Sequence, residues 1–186
     1  MVAASSSGPS FVALLRGINV GGKNKVPMKD LLAMFERAGA ADTRHYIQSG
    51  NVVFRSSAAH AGRIPGLVSK DIERRHGLTV PVIVRSGAEL RAIAEANPLL
   101  AAGADPDTLH VMFLAEAPGK KESAALDPRR SPPDSFTLAG REIYLCCPNG
   151  VARTKLTNAY FDSTLRTTST ARNWRTVLKL VEMSSS

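Results

Sequence analysis

FVALLRGINVGGKNKVPMKDLLAMFERAGAADTRHYIQSGNVVFR, residues 11–55, decides how the fold of this chain is read. Residues 11–15 form an uninterrupted apolar run, as a central strand buried on both faces requires. Pro27, with φ already helical and no N–H to lose, opens a helix at its first turn. Met28, Leu31, Leu32 and Phe35 share one face of that helix, and Gly39 stops it. Residues 43–48 and 51–55 then read as two strands around the tight turn Ser49-Gly50, a hairpin.

Working outward, a second helix turns Leu67, Val68 and Ile72 inward and ends at Gly77, and residues 80–85 close the half as a strand. The order β-α-β-β-α-β is the ferredoxin-like pattern. Its last strand lies at a sheet edge, which suits Pro81, because proline cannot donate to a ladder on both sides. Ser86 starts the second half as a helix N-cap, and Glu89 completes a capping box. That helix buries Leu90, Ile93 and Ala94 and stops at Asn97-Pro98. Residues 108–114 read as a strand, and 116–134, rich in charge and proline, as a mobile connection with room for one short helical turn. Residues 136–138 and 142–147 form a hairpin around Ala139-Gly140. Two helices, 156–166 and 171–183, finish the chain, the last with Trp174, Val177, Leu178 and Val181 on its inner face. No sequence repeat is visible. The expected fold is therefore α+β, a ferredoxin-like subdomain at 11–85 and a second small α+β subdomain at 86–183 ending in two helices. Residues 1–10 and 184–186 read as disordered tails, the first lacking the basic and apolar regions of a signal peptide.

A chain of 186 residues, 44% hydrophobic, can bury a core in each half. No run approaches the roughly 18 apolar residues that span a membrane, so a cytoplasmic protein is expected. Cys146 and Cys147 are adjacent in a strand and face opposite sides; they read as reduced structural thiols. The histidines at 45, 60, 76 and 110 show no metal-ligand spacing, so no metal or cofactor is expected. The net charge of +8 is concentrated in two segments. Residues 10–29 carry Arg16, Lys23, Lys25 and Lys29 without an acid, and residues 150–181 carry six basic residues against Asp162. Excess charge placed this way points to an anionic partner.

The glycine-rich segment 17–24 nearly matches the phosphate-binding P-loop, with four residues between Gly17 and Gly22-Lys23. Asn24, however, stands where a Ser or Thr would hold Mg²⁺, and the helix starts about four residues too late. An antiparallel sheet is also the wrong platform, so the segment reads as a glycine turn with backbone donors and lysine charge. An RNA-recognition reading fails on the third strand, where Ser49 and Asn51 occupy the positions at which aromatic side chains stack on bases.

The motifs LLRGINVGGKNKVPM, YIQSGNVVF, KLTNAYF and ARNWRTVLKL, in this order, resemble a widespread family of uncharacterised bacterial proteins, catalogued as domain of unknown function sixteen ninety-seven. The resemblance covers residues 11–183. It implies an α+β fold of two subdomains, the first ferredoxin-like, and supplies no reaction. In the third motif this chain reads VARTKL where relatives commonly read closer to IGRSKL.

These motifs regroup the polar residues. Arg16, Asn19, Lys23, Asn24 and Lys25 leave the first strand; Gln48, Ser49 and Asn51 occupy the hairpin turn. Lys155 and Asn158 enter the penultimate helix, and Arg172 and Asn173 start the last. The leading expectation is an anionic, phosphorylated small molecule bound between the two halves. Lys23, Lys25, Lys155 and Arg172 would supply charge, and Asn19, Gln48 and Asn51 orientation. No catalytic set is apparent: Ser49 lacks a histidine–acid pair to activate it, and Asp162 lacks a second carboxylate. A transferase, a hydrolase and a pure binding protein all fit. The alternatives are a nucleic-acid-binding protein that contacts phosphates without reading bases, and a purely structural role for the polar motifs, with Thr170 capping the last helix.

Overall fold

The computed structural model describes residues 8–185. The chain divides into two compact units, one made from the chain up to Arg91 and again from Leu180, the other from Ala92–Lys179.

In the first unit, β1 (Ser10–Leu15) leads to α1 (Met28–Arg37), then β2 (Ala41–Tyr46) and β3 (Asn51–Arg55). A short α2 (Ala58–Ala61), α3 (Ile64–His76) and β4 (Val82–Ser86) complete it. The four strands form one antiparallel sheet in the order β2-β3-β1-β4, the ferredoxin-like arrangement expected from the sequence. β1 is central and buried along Phe11–Leu15, while β4 lies at the edge, where Pro81 just precedes it. Leu31, Met34 and Phe35 of α1 pack on the sheet with Val68 and Ile72 of α3. Phe54 stands between two rings, 5.7 Å from Phe11 and 5.5 Å from Phe35. Each such buried side chain contributes about 1.5–3 kcal/mol.

α3 buries Ile64, Val68 and Ile72, an i, i+4, i+8 stripe. Leu67 falls about 100° away from Val68 on the helix and is 46% exposed, contrary to the inward face expected of it. Asp71, on the same helix, receives Arg37 of α1 together with Arg74 and Arg75 at 2.7–2.9 Å. Led by Arg37, these guanidiniums hold its carboxyl well below the usual carboxylate range, against the opposing effect of burial.

β1 begins at Ser10 within the expected N-terminal tail; residues 1–7 of that tail lie outside the described residues. The capping box forms as read: Ser86 N donates to Glu89 Oε2 at 2.7 Å, and Glu89 N donates to Ser86 Oγ at 3.1 Å.

That box starts α4 (Gly87–Glu95), which runs toward α5 (Pro98–Ala101) in the second unit. There follow β5 (Leu109–Leu114), α6 (Lys120–Ala124), β6 (Ser135–Ala139) and β7 (Glu142–Cys146). α7 (Asn158–Leu165), β8 (Ser169–Asn173) and α8 (Trp174–Ser184) end the chain. The sheet order is β6-β7-β5-β8, so β5 to β8 repeat the β-α-β-β-α-β plan of the first unit. The repeat is topological, with no counterpart visible in sequence. The two closing helices are present as α7 and α8, and β8, which the sequence reading missed, lies between them. Met112, Leu114, Ile143, Leu145, Phe161 and Leu165 form the core on one face of the sheet, with Phe136 edge-on to Phe161 at 5.4 Å.

Because residues 171–173 are strand, α8 starts later than expected and its inner face is turned. Trp174, Thr176, Val177, Leu180 and Ser184 are buried, and Leu178 is 47% exposed. The cap of α8 is Asn173, whose Oδ1 accepts from Thr176 N at 2.8 Å, rather than Thr170. Ser184, the first residue of the expected C-terminal tail, closes the helix. Cys146 and Cys147 are both free thiols, the second buried. Among the described residues, no helix is long and apolar enough to cross a membrane.

Candidate functional site

Past β1, sheet pairing continues for one residue on either side. Leu15 N donates to Gly50 O at 2.8 Å and Arg16 N to Pro81 O at 3.0 Å. The chain then turns repeatedly. Gly17, Asn19, Gly21, Gly22 and Asn24 all adopt positive φ, between 49° and 76°. Asn19 N donates to Asn24 O, and Lys23 N to Val20 O, so residues 19–24 close a miniature hairpin with Gly21-Gly22 at its tip. Two consecutive residues of positive φ are what a mirror-image two-residue turn requires.

Side chains secure this loop. Asn24 Nδ2 donates to Gly17 O at 2.9 Å. Asn19 uses both ends of its amide: Oδ1 accepts from Val26 N, and Nδ2 donates to Val26 O and to Gln48 O, each at 2.9 Å. The third of these bonds ties the glycine-rich loop to the β2–β3 turn. α1 begins only at Met28, and Asn24 is engaged with backbone, so the loop is not a P-loop.

The β2–β3 turn is itself unusual. Ile47 has φ +48°, a conformation a β-branched residue adopts only under strong constraint, at about 1–2 kcal/mol. Gly50, at φ +79°, is required twice over: a Cβ there would lie 2.8 Å from that of Leu15. Asn51 is fully buried and donates to Tyr46 O at 3.2 Å and to Ser49 Oγ at 3.0 Å. His45 places its ring against Ile47 O at 3.1 Å and is exposed, a strand surface residue.

The first unit therefore assembles eight of the residues singled out in the sequence. Asn19, Asn24 and Asn51 spend their amides on the local fold, whereas Lys23, Lys25 and Gln48 are exposed and Arg16 and Ser49 half-buried. The same two turns expose Val20 at 60% and Ile47 at 48%, an apolar element that polarity-based reading of the motifs passed over. The signal was present: each is a β-branched residue in a polar turn.

In the second unit the candidates have separate surroundings. Lys155 is exposed; its backbone is held by Ser131 Oγ and by Arg130 Nε, and the Arg130 guanidinium lies 4.0 Å over the Tyr160 ring. Asn158 donates to Ser169 Oγ at 2.9 Å, and Ser169 donates to Asp162 Oδ1 at 2.6 Å, a chain joining α7 to β8. Asn173 is the cap of α8. Arg172, expected to offer charge to a ligand, is buried in β8 and donates to Thr170 Oγ1 and to Ala171 O. Burial lowers its pKa to about 10. Among the described residues, no three His, Cys, Asp or Glu side chains are grouped to hold a metal ion.

No curated protein matches the sequence. Among solved structures, the conserved bacterial protein SP0830 from Streptococcus pneumoniae has a similar fold. It is 24% identical, with a TM-score of 0.67 over 95% of this chain and 98% of that one. The model of the family described as "Protein of unknown function (DUF1697)" matches residues 9–144, a range that holds both the glycine-rich loop and the β2–β3 turn. The chain belongs to the DUF1697 family of proteins of unknown function.

Proposed function

We propose that this protein binds a phosphorylated or otherwise anionic small molecule at the glycine-rich loop of its first unit. The observation that carries the proposal is the backbone of residues 17–24, where left-handed residues recur beside exposed Lys23 and Lys25. Gly21 and Gly22, both left-handed at the hairpin tip and without side chains, allow an anion close approach to the backbone beside those lysines, and concavities of turn N–H groups take anions. The lysines add charge to those dipoles, and residues 10–29 hold no carboxylate to compete. Asn19, Asn24 and Asn51 serve as scaffold in this reading, and Gln48 remains as an orienting group. The ligand would be held without a protein-bound metal.

A thermal-shift screen of inorganic phosphate, pyrophosphate, nucleotides and sugar phosphates tests it. A ligand at a hundred times its Kd stabilises the folded state by about 2.7 kcal/mol. The expected result is a rise in Tm for at least one of these anions that Lys23→Ala, and more fully Lys23→Ala with Lys25→Ala, removes. A rise unchanged by both substitutions, or no rise with any anion, rejects the site. The same lysines would serve a nucleic-acid backbone. A gel shift whose affinity falls steeply with salt would transfer the proposal to that partner, since phosphate contacts release counterions.

A further inference from the structure

Among the described residues, each four-stranded sheet ends in two edge strands, and all but one of these edges carry a guard against pairing with another chain. β2 holds Asp42 and Arg44 and shifts register between Ala41 and Arg44. β4 is entered from Pro81, which has no N–H to offer, and carries the buried charge of Arg85. β8 is buried at Ser169, Thr170 and Arg172. β6 has none of these devices. Its sequence, SFTLA, holds no charge and no proline, and it pairs with β7 without a register shift. Ser135 and Ala139 are exposed, and Phe136, Thr137 and Leu138 are half-buried.

Pairing in the rest of the sheet decides which backbone groups of β6 face outward. Leu114 N donates to Arg141 O, so Arg141, and with it Ile143 and Leu145, direct their backbone groups toward β5. Glu142, Tyr144 and Cys146 direct theirs toward β6, where they meet Ala139, Thr137 and Ser135. The N–H and C=O of Phe136 and Leu138 are therefore the ones on the open side. The side chains of these two residues pack on the core that contains Phe161, and that of Thr137 lies on the opposite face of the sheet.

We infer that β6 is a docking edge for a second copy of this chain, the β6 strands of the two copies pairing antiparallel about a two-fold axis through Thr137. In that register Phe136 of each copy faces Leu138 of the other, and the threonines face each other. The backbone parity fits: Phe136 and Leu138 are the residues with outward N–H and C=O, so each Phe–Leu pair exchanges both of its hydrogen bonds. The side chains agree with the backbone. Both Phe–Leu pairs fall on the core face and extend it, while the Thr–Thr pair, a favourable cross-strand combination, falls on the other. Beyond the strand, Asp134 comes opposite Gly140 and beside Arg141 of the other copy, so no like charges meet. A slip of one residue would turn the second copy's apolar face to the wrong side and misalign the hydrogen bonds. Such self-complementarity is what a two-fold contact requires. A five-residue pairing is smaller than a standard interface, so the association is reversible and depends on concentration. It is independent of the anion reading, because β6 belongs to the second unit.

Sedimentation equilibrium of the full-length protein up to millimolar concentration tests the association, and cysteine linking tests the register. The expected result is a monomer–dimer equilibrium that Thr137→Lys weakens by about tenfold or more, since it sets like charges directly opposite each other without touching the core. In a Cys146→Ser background, Thr137→Cys should form a linked dimer under mild oxidation. A non-hydrogen-bonded pair stands at a Cα separation of about 4.5 Å, within the range a disulfide spans. Ser135→Cys in the same background should not link, because its counterpart across the axis is Ala139. If Thr137→Lys fails to fold, the cysteine pair decides. A monomer at every concentration, a dimer that folded Thr137→Lys leaves unchanged, or linking through Ser135→Cys as fast as through Thr137→Cys overturns the proposal.

Discussion

Replacing Asn19 with alanine should cost the first unit far more than a half-buried loop residue ordinarily does. Three hydrogen bonds of 2.9 Å disappear together. Two of them satisfy Val26, which is 1% exposed, so its N–H and C=O lose partners where water reaches poorly. Leaving such groups unpaired costs about 1–3 kcal/mol each. The third, to Gln48 O, faces solvent and adds about 0.5 kcal/mol. Alanine at φ +54° pays a further 1 kcal/mol or so. With the lower figure for each Val26 group, the loss is about 3.5 kcal/mol. Amide exchange is the assay of choice, since two units need not unfold in one step. The Leu15 amide, bonded to Gly50 O, reports on this junction, and its protection should fall by roughly several hundredfold. Asn19→Gly separates the contributions, losing the bonds but sparing the backbone cost, and should recover about 1 kcal/mol. Leu15 protection within threefold of wild type in Asn19→Ala would refute the claim that this amide joins the two turns.

Gly50→Ala and Gly21→Ala make a contrasting pair, both at positive φ. A Cβ at Gly50 meets Leu15 and Ile18 at 2.8–3.0 Å and should cost more than about 3 kcal/mol, while one at Gly21 meets nothing within 4 Å and should cost about 1 kcal/mol by urea unfolding. Asp71→Asn should remove about 1–2 kcal/mol at neutral pH, because one carboxylate serves three arginines. Its folded pKa is depressed, so that stabilisation is complete above the ordinary value of 3.8 and is lost as pH falls toward the folded value. Urea midpoints of wild type and variant should accordingly converge in acid. Burial pushes the Cys147 thiol up to about 11, so a thiol reagent near pH 8 should modify Cys146 first and reach Cys147 only on unfolding. Mass mapping of the labelled peptide checks the order.

The first unit was legible because its signals are local. An unbroken apolar strand, Pro27 at a helix start, Gly77 at a helix end and the Ser86–Glu89 box each act within a few residues. The second unit hides the same plan for identifiable reasons. Its first crossover helix, α6, is five residues in a charged, proline-rich connection, too short to show a period. Its last strand, STARN, buries Ser169, Thr170 and Arg172, so it shows no apolar alternation. At the candidate site, residue types and their concentration in two turns could be read, but not their division of labour. Asn19 reaches Gln48 across 29 positions, and no local pattern shows that an asparagine is committed to backbone rather than to a ligand.

The first unit draws its last residues from the far end of the chain. Arg44 of β2 donates to Met183 O at 2.9 Å, and Arg91 donates to Ser185 Oγ at 2.7 Å. The second unit, by contrast, is a single uninterrupted stretch, Ala92–Lys179. During synthesis the ribosome therefore finishes the later unit before it has supplied everything the earlier one uses. N-terminal domains generally fold first as they emerge, but here the N-terminal sheet must wait for residues 180–185 to gain those two bonds. A released chain ending at Lys179 should keep the later unit's resistance to proteolysis, while its earlier unit is cut faster than in the full chain.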